Sequence, residues 1–350
     1  MRYTVFFTIW IVLTFCLPNT KKEEPLPQTK ASEREETFCP KNEIDFQNIF
    51  FINEKENIEK KVALRAKYYL TTNERRLDVF YPFVKNLRGG YVGVGTDQNL
   101  ILISWVKPDY AYLIDFDYIA VSINQLHLLF LSHSHNFIDF KSFWLKKNQK
   151  KGIELIQKTF LDEEEQKIFL KVYKMGLNVL PERFQELEIL SKKFTLISYH
   201  NNQEDFEFLK NLIQKNRIQA LLGDINGNVI FRKIGDASKK LCIPIRTIYL
   251  SNAEEYYRYP QSFRENIFNL SIDESSLIVR TVTSGALEFG FPEFEKYKEI
   301  PFHYNIQKVQ DLLDWFTEDQ LWIYTMLKSR TDIQKGISFL GKKPIKNANL

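Results

Sequence analysis

The 350-residue chain contains little glycine, histidine or cysteine, and it has little net charge. The formal charge is only +4 and basic residues are mixed with acidic ones, so we expect no nucleic-acid partner. With five histidines and no Gly-x-Ser-x-Gly motif, the sequence gives no support for serine or cysteine hydrolase chemistry. A hydrophobic content of 44% is nevertheless enough to bury a large core.

The N-terminus has the features of a secretory leader. Arg2 precedes an apolar stretch from Val5 to Leu17, which is short for a membrane span but typical of a signal-peptide core. The stretch includes Leu13-Thr-Phe-Cys16, which resembles a bacterial lipobox, although Phe15 stands where a small residue is usual. We therefore expect residues 1–16 to be a signal peptide and Cys16 to be lipidated. The alternatives are a retained membrane anchor and a mis-set start codon.

The composition changes after the leader. Residues 17–45 are predicted to be a disordered tether, because the segment is rich in Lys, Glu, Pro and Thr and has few large apolar residues. Residues 46–345 show no second linker and are predicted to form a single domain. If Cys16 carries lipid, Cys39 and Cys242 remain, and the sequence leaves open whether they pair in an oxidising envelope. The expected location is the bacterial cell envelope, with the cytoplasm as the alternative.

The scarce glycine is concentrated in one place. Four of the thirteen glycines lie within seven residues: Gly89, Gly90, Gly93 and Gly95. The surrounding pattern predicts a short buried strand, a tight turn and a helix, with Thr96 or Asp97 as the N-cap and Pro108 as the stop signal. Such a turn presents unpaired N–H groups and the positive end of a helix dipole, which suits an anionic or carboxylate-bearing ligand.

Further strands follow the turn and alternate with helices. The second strand ends at Asp115, about 20 residues after the turn, where a nucleoside-binding βαβ unit places an acid on ribose hydroxyls. Later strands end at Asp224 and at Ser251-Asn252. The pattern predicts an α/β fold with a doubly wound, mostly parallel, Rossmann-type sheet whose carboxyl edge gathers these residues around a nucleoside-type pocket. Alternatively, the glycines only permit helix packing and Asp115 is a surface cap.

The region between the second and third strands is rich in charged helical pattern. We expect a helical insertion over about residues 140–193, interrupted at Pro181, and then a strand over Phe194–Ser198. His133, His135 and Asp139 superficially resemble the metal-binding run of metallo-β-lactamase-like hydrolases. Because Phe137 and Ile138 replace two of the ligands in that run, no metal site is expected. The two histidines are instead expected to end a helix on which His127 also packs.

Several short motifs together resemble a known family. They are Asn73-Glu74, Gly93-Val-Gly-Thr-Asp-Gln-Asn99, Leu113-Ile-Asp115 and Tyr249-Leu-Ser-Asn-Ala-Glu-Glu-Tyr256. They are similar to a bacterial lipoprotein family with a class I S-adenosylmethionine-dependent methyltransferase-like fold. The resemblance implies S-adenosylmethionine as a possible cofactor, contacted by Gly93, Gly95, Asp97, Gln98, Asn99, Asp115 and Asp224. It also implies a substrate or partner near Asn73, Glu74, Ser251, Asn252 and Tyr256.

Two departures from the methyltransferase pattern shape the functional hypothesis. Tyr91 stands where active enzymes carry an acid, and Asp97 stands where they carry a third glycine. An exported domain also has no obvious supply of S-adenosylmethionine, which is made in the cytoplasm. We therefore expect a membrane-tethered module that has lost or changed catalysis and binds a ligand or an unidentified protein. The alternative is an active methyltransferase with an unknown acceptor.

Overall fold

The carboxyl ends of the central parallel strands form the edge of the sheet on which the predicted site residues lie. The computed structural model describes residues 39–58, 69–283 and 302–342. In these residues the strands are β1 Gly90–Val94, β2 Tyr110–Asp115, β3 Ile218–Leu222, β4 Ile245–Tyr249, β5 Leu277–Thr283, β6 Phe302–Lys308, β7 Arg330–Gln334 and β8 Ile337–Leu340. The helices are α1 Glu43–Phe50, α2 Tyr81–Val84, α3 Gln98–Val106, α4 Tyr118–Ser132, α5 Phe137–Phe143, α6 Gln149–Thr159, α7 Glu163–Phe194, α8 Gln203–Gln214, α9 Ile230–Lys240, α10 Gln261–Phe268, α11 Val309–Trp315 and α12 Ile323–Leu327. Short 3-10 turns cover Leu77–Phe80, Lys146–Asn148 and Ala253–Tyr256.

The strands form one sheet in the order β3-β2-β1-β4-β5-β6-β8-β7. Strands β1 to β5 are parallel to one another, whereas β6 runs antiparallel to β5 and β7 runs antiparallel to β8. The chain winds outward from β1 in one direction and from β4 in the other, so β1 and β4 flank the switch point where doubly wound sheets bind ligands. The predicted α/β, mostly parallel, Rossmann-like fold with a helical insertion is confirmed.

The core lies on both faces of the sheet. Consecutive residues of a strand point to opposite faces, so Tyr91 and Val92 of β1 belong to separate clusters of buried side chains. Leu113 and Tyr112 of β2 likewise belong one to each cluster. Parallel strands covered by helices on both faces are apolar on both sides, which explains the continuous apolar runs in these strands. One cluster includes side chains of α3, α4 and α7, and the other includes side chains of α9, α10 and α11.

The helical insertion is more regular than the sequence suggests. Helix α7 is continuous for 32 residues and passes through Pro181, so the predicted interruption there is wrong. Asp162 caps its start by accepting a hydrogen bond from the Glu165 N–H at 2.8 Å. Leu180 and Phe184 are buried on either side of the proline. Their packing offsets the backbone hydrogen bond that proline cannot make.

The predicted strand at Phe194–Ser198 is also wrong. Helix α7 extends to Phe194, and Thr195 then adopts a left-handed conformation with φ 55°. The carbonyl of Ile197 accepts a hydrogen bond from the Trp105 indole at 2.5 Å instead of pairing with a neighbouring strand. The apolar run therefore covers α3, and the third strand of the sheet is Ile218–Leu222.

A disulfide joins the start of the described chain to the sheet. Cys39 and Cys242 are bonded, with their Cα atoms 5.5 Å apart, so the pairing that the sequence left open is present. Cys242 precedes β4, which places the bond at the amino edge of the parallel strands. Helix α1 begins at Glu43, inside the segment interpreted as a tether. The predicted leader, Cys16 and the part of the predicted tether before residue 39 lie outside the described residues. Within the described ranges, no helix is long and apolar enough to cross a membrane.

Candidate functional site

The glycine turn is built in the order that the sequence indicates. Strand β1 ends at Val94, Gly95 turns the chain with φ +94°, and α3 begins at Gln98. Gly95 has a left-handed backbone that residues with a side chain adopt only at a cost. The turn lies at the carboxyl end of β1, beside the switch point of the sheet.

The protein's own side chains fill the space over this turn. Asn99 Nδ2 donates to the carbonyls of Val94 and Thr96 at 3.1 and 3.2 Å, and Tyr91 Oη donates to Asn99 Oδ1 at 2.6 Å. The Thr96 N–H donates to Gln98 Oε1 at 3.0 Å. A Cβ atom added at Gly93 would overlap Asn99 Oδ1, and one added at Gly95 would overlap Gln98 Nε2. These glycines therefore make room for Gln98 and Asn99.

Asp97 has a different role from the predicted helix cap. It occupies the N-cap position of α3, but neither it nor Thr96 makes a side-chain cap. Asp97 Oδ1 accepts from the Thr72 N–H at 2.7 Å, and Asp97 Oδ2 accepts from Arg183 Nε at 2.8 Å. Both side chains of the ion pair are almost completely buried, with 1% of Asp97 and 2% of Arg183 exposed. Helix α7 thus supplies the positive charge that balances the acid in the turn.

This geometry affects whether the turn can bind a nucleoside-type cofactor such as S-adenosylmethionine. Such a ligand approaches the backbone of the glycine turn and takes hydrogen bonds from its N–H groups. Here Gln98 and Asn99 occupy that approach, and the carboxylate of Asp97 is held by Thr72 and Arg183. The residues at the turn do not fit the cofactor in this arrangement.

Asp115 is the last residue of β2 and Asp224 lies on the loop after β3, at the same edge of the sheet. Asp115 Oδ1 accepts from the Asp117 N–H at 2.8 Å. Burial raises the pKa of Asp115 to about 7, although hydrogen bonds from backbone N–H groups partly oppose the shift. The Asp224 N–H donates to Glu56 Oε2 at 3.0 Å, and Glu56 also accepts from the Val229 N–H at 3.2 Å. Glu56 therefore accepts hydrogen bonds from two backbone N–H groups that lie just before α9.

A second polar cluster lies at the ends of β4 and β5. Its centre is Glu74, a carboxyl group that is only 1% exposed. Glu74 Oε1 accepts from Ser251 Oγ at 2.6 Å and from Thr281 Oγ1 at 2.8 Å, and Glu74 Oε2 accepts from the Tyr249 hydroxyl. Burial raises the pKa of Glu74 above its usual value, against the opposing effect of these hydroxyl groups. The structure brings together Glu74 and Ser251, which the sequence grouped only by resemblance.

The other predicted substrate or partner residues lie at the rim of the same carboxyl edge of the sheet. Asn73 is exposed beside Glu74. Asn252 Nδ2 donates to Glu255 Oε2 at 3.0 Å and to the Tyr256 hydroxyl at 3.4 Å. Tyr256 is 63% exposed, so its ring faces solvent at the carboxyl edge of the sheet.

Sequence reasoning missed Arg183 and Thr281. A single arginine on a charge-rich helix is usually solvated, so no local signal marked Arg183 as the partner of the turn. Thr281 is one of several polar residues in β5, and only the sheet order places it opposite Glu74.

His133 ends α4 as predicted, whereas His135 lies beyond the helix, so that part of the prediction is wrong. His133 follows the last residue of α4, and its Nδ1 lies 2.9 Å from the Leu129 carbonyl. His127 is buried on the same helix against Phe140 and Trp144, and burial lowers its pKa to about 4. In the part of the chain that the structure describes, no three His, Cys, Asp or Glu side chains form a group that would hold a metal ion.

The fold and this edge define a Rossmann-like α/β protein. The chain matches a family described as a domain of unknown function, DUF7790, over residues 69–341, and it belongs to that family. A comparison with curated proteins finds no match. The matched range begins just before Glu74 and includes the whole insertion, so the Asp97–Arg183 ion pair and the Glu74 cluster fall within the family domain.

Proposed function

We propose that the protein is a membrane-tethered lipoprotein whose methyltransferase-like domain has lost methyl transfer and acts as a ligand- or protein-binding module. The observation that carries the proposal is the filled glycine turn. Gln98 accepts the hydrogen bond of the Thr96 N–H, Asn99 bonds the carbonyls of Val94 and Thr96, and both side chains lie against the turn glycines. Arg183 neutralises Asp97. The buried Asp97–Arg183 ion pair holds the residue before α3 in place, because breaking such a pair is costly.

The disulfide supports an extracytoplasmic location. Disulfides persist in oxidising compartments such as the bacterial envelope and are rare in the cytoplasm. The Cys39–Cys242 bond thus agrees with the leader and the lipobox-like Cys16. A domain outside the cytoplasm is separated from the supply of S-adenosylmethionine, which favours a binding role.

The binding surface in this proposal is the rim of the carboxyl edge. Phe116 and Leu222, which follow or end neighbouring strands, are 41% and 36% exposed, and Tyr256 is more exposed still. Apolar and aromatic side chains beside the acids Asp115 and Asp224 offer both contact area and polar selectivity.

A titration tests the loss of the cofactor. Calorimetry of S-adenosylmethionine and S-adenosylhomocysteine against the full-length protein in mild detergent should show no saturable binding at millimolar ligand. Saturable binding that Asp115→Ala weakens, and that the exposed control Asp319→Ala leaves unchanged, would instead support an active methyltransferase of unknown acceptor.

Metabolic labelling tests the anchor. Cells that express the protein and are fed a palmitate analogue should label it, and Cys16→Ser should abolish the label because the Cys16 thiol is the attachment site of the lipid. Cys39→Ser is the matched control and should retain the label. Equal labelling of the Cys16→Ser variant would refute the lipoprotein assignment.

A further inference from the structure

Ser251 has an unusual backbone at the carboxyl end of β4. Its φ is +50°, a left-handed value that non-glycine residues adopt at a cost of about 1 kcal/mol or more. The Thr281 N–H donates to the Ser251 carbonyl at 2.9 Å and helps to hold this conformation. Strained residues of this kind concentrate at functional sites. Ser251 is also partly exposed, beside the switch point between β1 and β4.

The Ser251 hydroxyl is directed at a buried carboxyl group. Its Oγ donates to Glu74 Oε1 at 2.6 Å, a distance at which a proton can pass between the two groups. Thr281 and Tyr249 donate to the same carboxylate. Close to this cluster, the Arg76 N–H donates to Tyr304 Oη at 2.8 Å. Glu74 is therefore fixed by donors from β4 and β5, with one oxygen facing Ser251.

The environment favours Glu74 as a base. Removal from water raises the pKa of Glu74, which makes its carboxylate a better proton acceptor than an exposed one. Ser251 itself remains within reach of solvent, whereas Tyr249 and Thr281 are buried. Of the three hydroxyl groups on Glu74, the one at Ser251 can meet a substrate.

We propose that Ser251 is a catalytic nucleophile, that Glu74 is its general base, and that the site takes carboxylic esters. The proposal does not depend on the loss of methyl transfer, because it concerns different side chains and a different reaction. The sequence around the serine is Tyr249-Leu-Ser-Asn252, which lacks the glycines of the usual hydrolase motif. The structure supplies what the motif normally signals, a serine on a sharp turn after a central strand.

The reaction balances without a cofactor. Ser251 Oγ forms a bond to the ester carbonyl carbon while its proton passes to the Glu74 carboxylate. The carbon–oxygen bond to the alcohol then breaks, and Glu74 returns the proton to the departing alkoxide. Water hydrolyses the acyl-serine in the same way: Glu74 accepts a proton from water, and the proton is then delivered to Ser251 as the acid leaves.

A fluorophosphonate probe tests the nucleophile without knowledge of the substrate. The serine oxygen bonds to phosphorus, fluoride leaves and the proton goes to Glu74. With the full-length protein in detergent, we expect labelling at Ser251 and complete loss of labelling in Ser251→Gly, a variant that tolerates the positive φ and should remain folded. The exposed Ser275→Ala variant is the matched control and should label like the wild type.

Glu74→Gln tests the base. Labelling should slow by roughly 100-fold, because an amide cannot accept the proton. The wild-type rate should rise with pH through a pKa above the usual glutamate value, and this rise should be absent in Glu74→Gln. No labelling of the wild type, labelling at another residue, or an unchanged rate in Glu74→Gln would each overturn the proposal.

Discussion

Reduction of the Cys39–Cys242 bond should lower the free energy of unfolding by about 5 kcal/mol. The bond closes a loop with a sequence separation of 203 residues, so it removes much conformational freedom from the unfolded chain. Urea unfolding of the full-length protein, with and without reductant, measures the difference.

Variants separate this effect from general damage by the reductant. Cys39→Ser and Cys242→Ser should each unfold at the midpoint of the reduced wild type, and reductant should not shift either variant further. Identical unfolding curves for the oxidised and reduced wild type would show that the bond does not form or does not stabilise the domain.

Arg183→Met should lower the free energy of unfolding by about 3–5 kcal/mol. The substitution removes the guanidinium that is bonded to Asp97 and leaves a carboxylate buried without its counter-charge. Methionine keeps much of the length of arginine, so the loss reports the charge more than the volume. Urea denaturation monitored by tryptophan fluorescence provides the measurement.

Two comparisons make this result specific. Arg75→Met breaks an exposed ion pair with Glu186 and should cost no more than about 1 kcal/mol. Adding Asp97→Asn to Arg183→Met should recover part of the lost stability, because no unpaired charge then remains buried. A loss in Arg183→Met as small as that in Arg75→Met would contradict the role given to the ion pair.

The fold was largely predictable because its signals are local. The runs that became β1, β2, β3 and β4 are short, apolar and separated by helical pattern, which indicates a parallel sheet. The run at Phe194–Ser198 has the same appearance but covers Trp105 outside the sheet. Composition cannot distinguish an apolar segment that pairs with a strand from one that covers a helix, because both bury the same surface.

The site was less predictable because its contacts join distant parts of the chain. Glu74 and Ser251 are 177 residues apart in sequence, and Asp97 and Arg183 are 86 apart. No local pattern links such pairs, and only the sheet order and the path of α7 bring them together. The glycines do mark a close approach, but the side chains that approach Gly93 and Gly95 in the structure are Asn99 and Gln98 of the same chain.

The position of Arg183 sets a limit on how the protein can be dissected. Residues 140–193 look like an accessory that could be cut from a Rossmann-like sheet to give a minimal domain. However, α7 carries the counter-charge of a carboxylate beside β1, and Leu180 and Phe184 on the same helix lie in the core. A shortened protein would keep every strand and still lose the partner of its central turn. We therefore expect removal of the insertion to destabilise this domain rather than to leave an independent minimal sheet.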